Sequence, residues 1–311
     1  MRKITAHIIL TICASLAINE LRAQQLTHWT YFTYNYLQYN PAAAGTTPCL
    51  DLKLGYRRQW RGLSGAPQTA FANVHGKIPP KKHNFLGFGA TMENDNAGPF
   101  SYTNMYLMAS YHMRMAKKYY LSAGLGVGFS QYHVNFGDMF MEQQDIDPVI
   151  TGNYNNFVFP LMSGGLWLYR DDRYFGMSAR AINSPDLTGL GASKLSAHWT
   201  FAHGRAIDLS KELVFKPAFL LNYVARSRSS LEGQFMLEYK QKLSLGLGAR
   251  SGHGFAGLLK IAALKYVTFA YSYDLTVNKI KYGGQSTHEL IIGIRACVDK
   301  SRYDVPCAAY D

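Results

Sequence analysis

Tyr119 to Ser130 reads YYLSAGLGVGFS. Tyr119, Leu121, Ala123, Leu125, Val127 and Phe129 take one side of an extended chain; Tyr120, Ser122, Gly124, Gly126, Gly128 and Ser130 take the other. A period of two marks a strand with one apolar face and one small or polar face. Gly124-x-Gly126-x-Gly128 also has the look of a nucleotide loop. Apolar residues separate these glycines and no helix pattern follows, so they read as the small inner face of a strand. The pattern recurs in Leu243, Leu245, Leu247 and Ala249 against Ser244, Gly246, Gly248 and Arg250. It recurs again in Val267, Phe269, Tyr271 and Tyr273 against Thr268, Ala270, Ser272 and Asp274. The chain offers no set of helices to cover these apolar faces, and lipid is the simplest cover.

Extended along the chain, this reading predicts an all-β fold: an antiparallel transmembrane β-barrel of about 14 strands. They are expected near Leu50–Arg58, Gln68–Lys77, Asn84–Glu93, Phe100–Met113, Tyr119–Tyr132, Asn156–Tyr169 and Arg173–Ile182. The second half is expected at Leu195–His203, Leu213–Val224, Ser230–Lys240, Leu243–Arg250, Gly254–Leu264, Lys265–Asp274 and Thr287–Ala296. Short connections at 116–118, 171–172, 241–242 and 264–265 alternate with long ones at 60–67, 133–155, 183–194 and 275–286. Short periplasmic turns and longer outer loops have this arrangement, with the N- and C-termini periplasmic. Inward positions such as Tyr106, Met108, His112, Tyr120, Leu220 and Met236 are bulky, which predicts a filled lumen.

Composition agrees. No segment after the first residues approaches the ~20 consecutive apolar residues of a helical span. Aromatic residues at 14%, 28 glycines, 22 tyrosines and a charged fraction of only 17% suit aromatic girdles and crowded inner faces. The net charge of +12 is assigned to lipid headgroups, a lumen or an acidic partner. No basic-aromatic nucleic-acid motif accompanies it, so nucleic acid is not an expected partner.

Arg2 and Lys3 precede a short apolar run, Ile4–Ile18, which reads as a signal peptide over residues 1–23 with cleavage after Ala23. Residues 24–48 follow as an aromatic segment with Trp29, Tyr31, Phe32, Tyr34, Tyr36 and Tyr39. They are read either as a peptide packed in the barrel mouth or against its rim, or as a docking segment for a periplasmic partner. The barrel is assigned to 49–296 and a periplasmic tail to 297–311. With Cys13 removed, Cys49, Cys297 and Cys307 remain; Cys297–Cys307 is the preferred disulfide and Cys49–Cys307 the alternative.

Asn40–Thr69, NPAAAGTTPCLDLKLGYRRQWRGLSGAPQT, passes from a turn at Asn40-Pro41 and Gly45 into the first strand and then a glycine- and proline-bounded loop. Its wording, Tyr39-Asn40-Pro41-Ala42, Gly45, Arg57-x-Gln59-Trp60 and Gly65-Ala66-Pro67-x-Thr69, resembles the opening of the PorP/SprF family, membrane proteins of the type IX secretion and gliding-motility machinery of Bacteroidota. The resemblance implies an outer-membrane component that works with periplasmic and outer-membrane machinery proteins. It also implies a role in exporting, or holding at the surface, cargo such as gliding adhesins through a cargo C-terminal domain. Asn40, Pro41, Gly45, Arg57, Gln59, Trp60, Gly65, Pro67 and Thr69 become partner-interaction candidates. Arg57, Gln59 and Trp60 also read structurally as a rim arginine, a polar plug and an interface tryptophan, and Gly65-Ala66-Pro67 as loop-shaping residues.

Catalytic wording is absent: no His-Glu-x-x-His, no Gly-x-Ser-x-Gly and no phosphate loop. Ser196 and His198 share a strand face and invite comparison with outer-membrane phospholipases, but a polar lumen wall is the expected role. Asp145-x-Asp147 lacks the twelve-residue calcium pattern. His112, His133 and His203 lack ligand spacing and are assigned to rim or lumen. The expectation is therefore a non-enzyme without cofactor or metal. A passive porin is the alternative, and an outer-membrane lipid hydrolase the third reading.

Overall fold

The computed structural model describes residues 27–47, 49–78, 83–115, 118–135, 156–185, 194–225, 227–264, 266–277 and 286–296. The signal-peptide and tail assignments, most of the 133–155 loop with Asp145 and Asp147, and both Cys297 and Cys307 lie outside these residues.

The first seven strands are β1 (Leu50–Arg58), β2 (Gln68–Lys77), β3 (Phe85–Ala97), β4 (Phe100–Arg114), β5 (Tyr120–Val134), β6 (Asn156–Arg170) and β7 (Arg173–Arg180). They continue as β8 (His198–Arg205), β9 (Ile207–Asp208), β10 (Leu213–Val224), β11 (Ser230–Tyr239), β12 (Leu243–Arg250), β13 (Gly254–Ala262), β14 (Val267–Thr276) and β15 (Ser286–Ala296). Neighbours pair antiparallel in chain order, β1 pairs with β15, and β10 pairs with β11, so the sheet closes on itself. Closure satisfies the strand edges that a bilayer cannot solvate.

β8 and β9 are one stave in two pieces. Gly204 faces Ala218 and Ile207 faces Phe215 in one continuous register along β10. The interruption falls opposite Pro217, which brings no N–H. The ring therefore has the 14 staves expected. Boundaries differ mainly where a loop captures the chain: Leu195 was expected to open a strand, but its N–H bonds the Pro185 carbonyl at 2.9 Å, and β8 begins only at His198.

Facing follows the alternation. Leu125 and Leu247 are 69% exposed and Phe255 is 64% exposed, whereas Ser122 and Ser272 are fully buried. Leucine, valine and phenylalanine thus cover the outside, where hydrocarbon suits them, and the polar side faces in. Of the two places expected for His203, the lumen is excluded: it faces outward near the short-turn rim, with Nδ1 2.8 Å from the Tyr174 carbonyl oxygen.

Leu50 pairs with Ala296, so the barrel's first and last residues share one rim, with the turns at 171–172 and 240–242. The opposite rim carries the long connections. The short turns at Gly98-Pro99 and at 251–253 are exceptions there, and the 59–67 loop docks over the first, with Gly98 N–H donated to the Gly65 carbonyl at 2.9 Å.

Candidate functional site

The lumen is occupied by the chain's own residues 27–47. Trp29 and Phe32 are completely buried, and Tyr31, Tyr34 and Tyr39 nearly so. Three single-turn helices, Phe32–Tyr34, Tyr36–Gln38 and Pro41–Ala43, fold this stretch compactly. It starts beside the long-loop rim, where His28 Nδ1 lies 3.0 Å from Glu232, itself bonded to Arg250 at 3.1 Å. It ends at the other rim, where Thr47 and Cys49 lead into β1. The plug thus runs through the barrel from one mouth to the other. Cys49 is disulfide-bonded; Cys297 and Cys307 lie outside the described residues.

The nine family-wording residues divide among three places. Asn40, Pro41 and Gly45 shape the plug's inner turn. Asn40 caps the third helix by accepting from the Ala42 N–H at 2.9 Å, and its amide donates to the carbonyls of Leu166 and Met177 at 3.0 and 3.2 Å. Pro41 occupies the first helical position, where its missing N–H costs nothing. Gly45 has φ +77° and donates its N–H to His75 Nδ1 at 3.1 Å. The wall yields to this turn: a Cβ on Gly124 would lie 2.4 Å from the Ala42 nitrogen, and one on Gly165 2.1 Å from Asn40 Oδ1. Gly124 of β5 and Gly165 of β6 are therefore the plug's seat. Gly124→Val is expected to displace the turn at a cost of about 1–3 kcal/mol, the usual range for overpacking. The measurement is the temperature at which the detergent-solubilised barrel loses its compact gel mobility, and an unchanged transition would show that the turn does not sit there.

Arg57 is the second place. Rather than a rim arginine it is a lumen residue, 3% exposed. Its guanidinium pairs with Glu289 at 3.0 Å and Asp274 at 3.1 Å and also donates to the Thr30 hydroxyl. Glu289 accepts the backbone N–H groups of Thr30 and Tyr31, each at 2.8 Å. Gln234 accepts from the Thr33 hydroxyl at 2.7 Å and donates to the Thr30 carbonyl. The plug's opening turn is thereby tied to four strands, β1, β11, β14 and β15.

The third place is the long-loop rim. Gln59 N–H bonds the Pro67 carbonyl at 2.9 Å, and Trp60, at φ +43°, donates its N–H to Thr287 Oγ1 at 3.2 Å. Gly65, at φ +69°, carries the contact to Gly98. Thr69 is fully buried and donates to Asp95 at 2.6 Å. Beneath this rim a cavity of ≈ 50 Å³ lies between Arg57, Trp60, Arg250 and His253, room for a few waters. Burial and the nearby Arg250 cation hold the His253 imidazole below its usual range.

Sequence reading missed several plug contacts. Glu93 accepts from Trp29 Nε1 at 2.9 Å, and Trp29 packs edge-on against Phe71 with centroids 4.4 Å apart. His112 and Ser110 reach the Ala44 carbonyl at 2.8 and 2.7 Å. Arg180 donates to the Gln38 carbonyl at 3.0 Å. A usable signal existed: Glu93 and Glu289 stand on the inward side of alternating strands, where an isolated charge needs a partner. His198 Nδ1 lies 2.8 Å from the carbonyl oxygen of Ser196, a main-chain contact. Among the described residues no cluster of His, Cys, Asp or Glu is arranged to hold a metal.

A closed antiparallel barrel, apolar outside and plugged by its own N-terminal segment, defines the class as an outer-membrane β-barrel. Residues 21–294 match the family described as "Type IX secretion system membrane protein PorP/SprF". The chain belongs to this family and is a membrane component of a type IX secretion system. Among solved structures it resembles the Pseudomonas putida toluene transporter TodX, with TM-score 0.52, 11% identity, and 84% of this chain and 93% of that one covered. It also resembles the monoaromatic hydrocarbon channel CymD, with TM-score 0.54, 10% identity, and 88% and 94% covered. At such identities the likeness is one of fold. No curated protein matches the chain.

Proposed function

We propose that this barrel is a docking station of the secretion machine, holding or releasing exported cargo at its faces. What carries this reading is the lumen, filled by Trp29, Phe32 and their neighbours in a member of a secretion family. A barrel stoppered in this way has its two rims as working surfaces. The rim of Leu50, Ala296 and the short turns faces the periplasm and the machine; the long loops face outward to the C-terminal domain of a cargo such as a gliding adhesin. The chain reaches the outer membrane of a Bacteroidota cell after losing residues 1–23. It performs no covalent chemistry and needs no cofactor.

Deletion of the gene is expected to leave specific cargo in the periplasm while small-solute uptake stays normal. Cell-surface labelling and fractionation measure this, and undiminished cargo display would end the proposal. Passive conduction is the second reading, favoured by the fold shared with proteins described as a hydrocarbon channel and a toluene transporter. Bilayer conductance separates the two.

A further inference from the structure

β6 stands higher than its neighbour. It pairs with β5 from Tyr169 up to Asn156, but with β7 only from Arg170 to Ser163, opposite Arg180. Arg170 and Arg173 close the β6–β7 turn, and from there alternate residues of β6 direct N–H and C=O toward β7. Met162 is the last of these to find peptide-like partners: Ile182 N–H reaches its carbonyl at 3.1 Å, and its N–H reaches Asn183 Oδ1 at 3.0 Å. The Asn183 amide also donates to the Pro160 carbonyl at 2.8 Å. Pro160 has no N–H, and proline inside a strand belongs at an edge. Above it, Val158 and Asn156 direct the same groups outward, and among the described residues no bond reaches them from that side. Val158 is 64% exposed.

The same stretch of sheet carries aromatic side chains on its inward face. Tyr102 and Tyr132 lie 4.5 Å apart, and Phe100 and Phe157 stack on Tyr132 at 6.1 and 6.2 Å. Phe100 and Tyr102 remain exposed. A strand laid against β6 would make main-chain bonds to Asn156 and Val158 and turn every second side chain toward these rings.

We propose that the upper edge of β6 takes up an extended strand of an exported polypeptide by β-augmentation. The inference deepens the docking role and rests on it for the source of the strand. A second barrel is a poor occupant, because so short an edge falls far below the roughly 1,000 Å² of a stable interface. A single strand needs only the edge and the aromatic face.

The test places the photo-crosslinking residue p-benzoylphenylalanine at Asn156 in the full chain in cells, with the lipid-facing Leu125 as control. The expected result is a polypeptide adduct at Asn156 alone, mapped by mass spectrometry to an extended segment of a secreted protein. Val158→Pro removes an N–H that points away from β5; it should weaken the adduct about five-fold, the worth of one hydrogen bond, while Val158→Ala leaves it unchanged. Should Val158→Pro lower the amount of folded barrel, Asn156→Pro with the probe at Val158 asks the same question at the strand's first residue. No adduct, an adduct indifferent to proline, or one joining this chain to itself or to a second copy would each overturn the proposal. The two readings fail separately. Normal cargo display in the deletion strain removes the docking role, whereas a missing adduct in cells that do depend on the barrel for display removes only the β6 edge.

Discussion

Purified barrel reconstituted in a planar bilayer is expected to pass almost no current, and removal of residues 27–47 to raise conductance by an order of magnitude or more, since an unplugged barrel of this strand number encloses water. The expectation rests on how thoroughly the plug meets the wall. Trp29 lies on Phe71 and Glu93. Tyr34 sits under Lys53 and Lys260, 4.6 and 5.6 Å from its ring centre. Tyr36 packs against Trp167 and Tyr174 with centroids 5.1 and 4.9 Å apart. These contacts come from six strands of the ring, β1, β2, β3, β6, β7 and β13. Large steady currents through the intact protein would favour the porin reading and take away the basis for placing function at the rims. Silence in both proteins would mean that wall side chains alone close the lumen.

Arg57→Ala is expected to cost about 3–5 kcal/mol, because it leaves buried carboxylates facing one another without their cation. Glu289 is 1% exposed and Asp274 stands on the other side of the same guanidinium. Arg57→Lys keeps the charge but not the fork that reaches both carboxylates and Thr30, and should fall between wild type and alanine. Urea unfolding in detergent, followed by the fluorescence of Trp29 and its neighbours, measures the loss. The same variants should also make the 27–47 segment accessible to protease, since Glu289 holds the Thr30 and Tyr31 N–H groups only while Arg57 positions it. An alanine variant as stable and as protease-resistant as the parent would show that the ion cluster does not anchor the plug.

The docking proposal and the β6 edge meet at the long-loop rim, where the plug also begins. His28, Arg250 and His253 sit at that mouth, and Gln59 and Trp60 line the cavity beside them. A partner engaging this rim would therefore touch the family wording of the 59–67 loop and the start of the plug together. That arrangement gives a physical reason for the family wording to include both lumen and loop residues: Arg57 holds the plug, and the loop that follows it is fixed to the rim at Thr287 and Gly98.

Much of this could be read from residue order. The strand positions follow from alternation, because a pleated chain with lipid on one side must place apolar and small residues in turn. Leu125 and Leu247 outward, Ser122 and Ser272 inward, needed no coordinates. The bulky inward set, Tyr106, Met108, His112, Tyr120, Leu220 and Met236, announced a filled interior, and all six are buried. Membership of the secretion family was legible in the thirty residues around Arg57.

Contacts between distant segments were not legible. Arg57 looked like a rim residue because nothing local reveals that Asp274, Glu289 and Thr30 converge on it from β14, β15 and the plug. Gly124 reads as merely small, although it and Gly165 leave the room that Asn40–Ala42 occupy. The upper edge of β6 was not legible either: it follows from the end of β7 at Arg180, above which β6 has no paired strand on that side among the described residues. Periodicity by itself determined the barrel, since burial on one face and exposure on the other are properties of each strand taken alone. Which side chains grip the plug, and the direction in which it threads the ring, were decided only by tertiary structure, because they depend on how closure of the sheet brings residues separated by up to hundreds of positions within hydrogen-bonding distance.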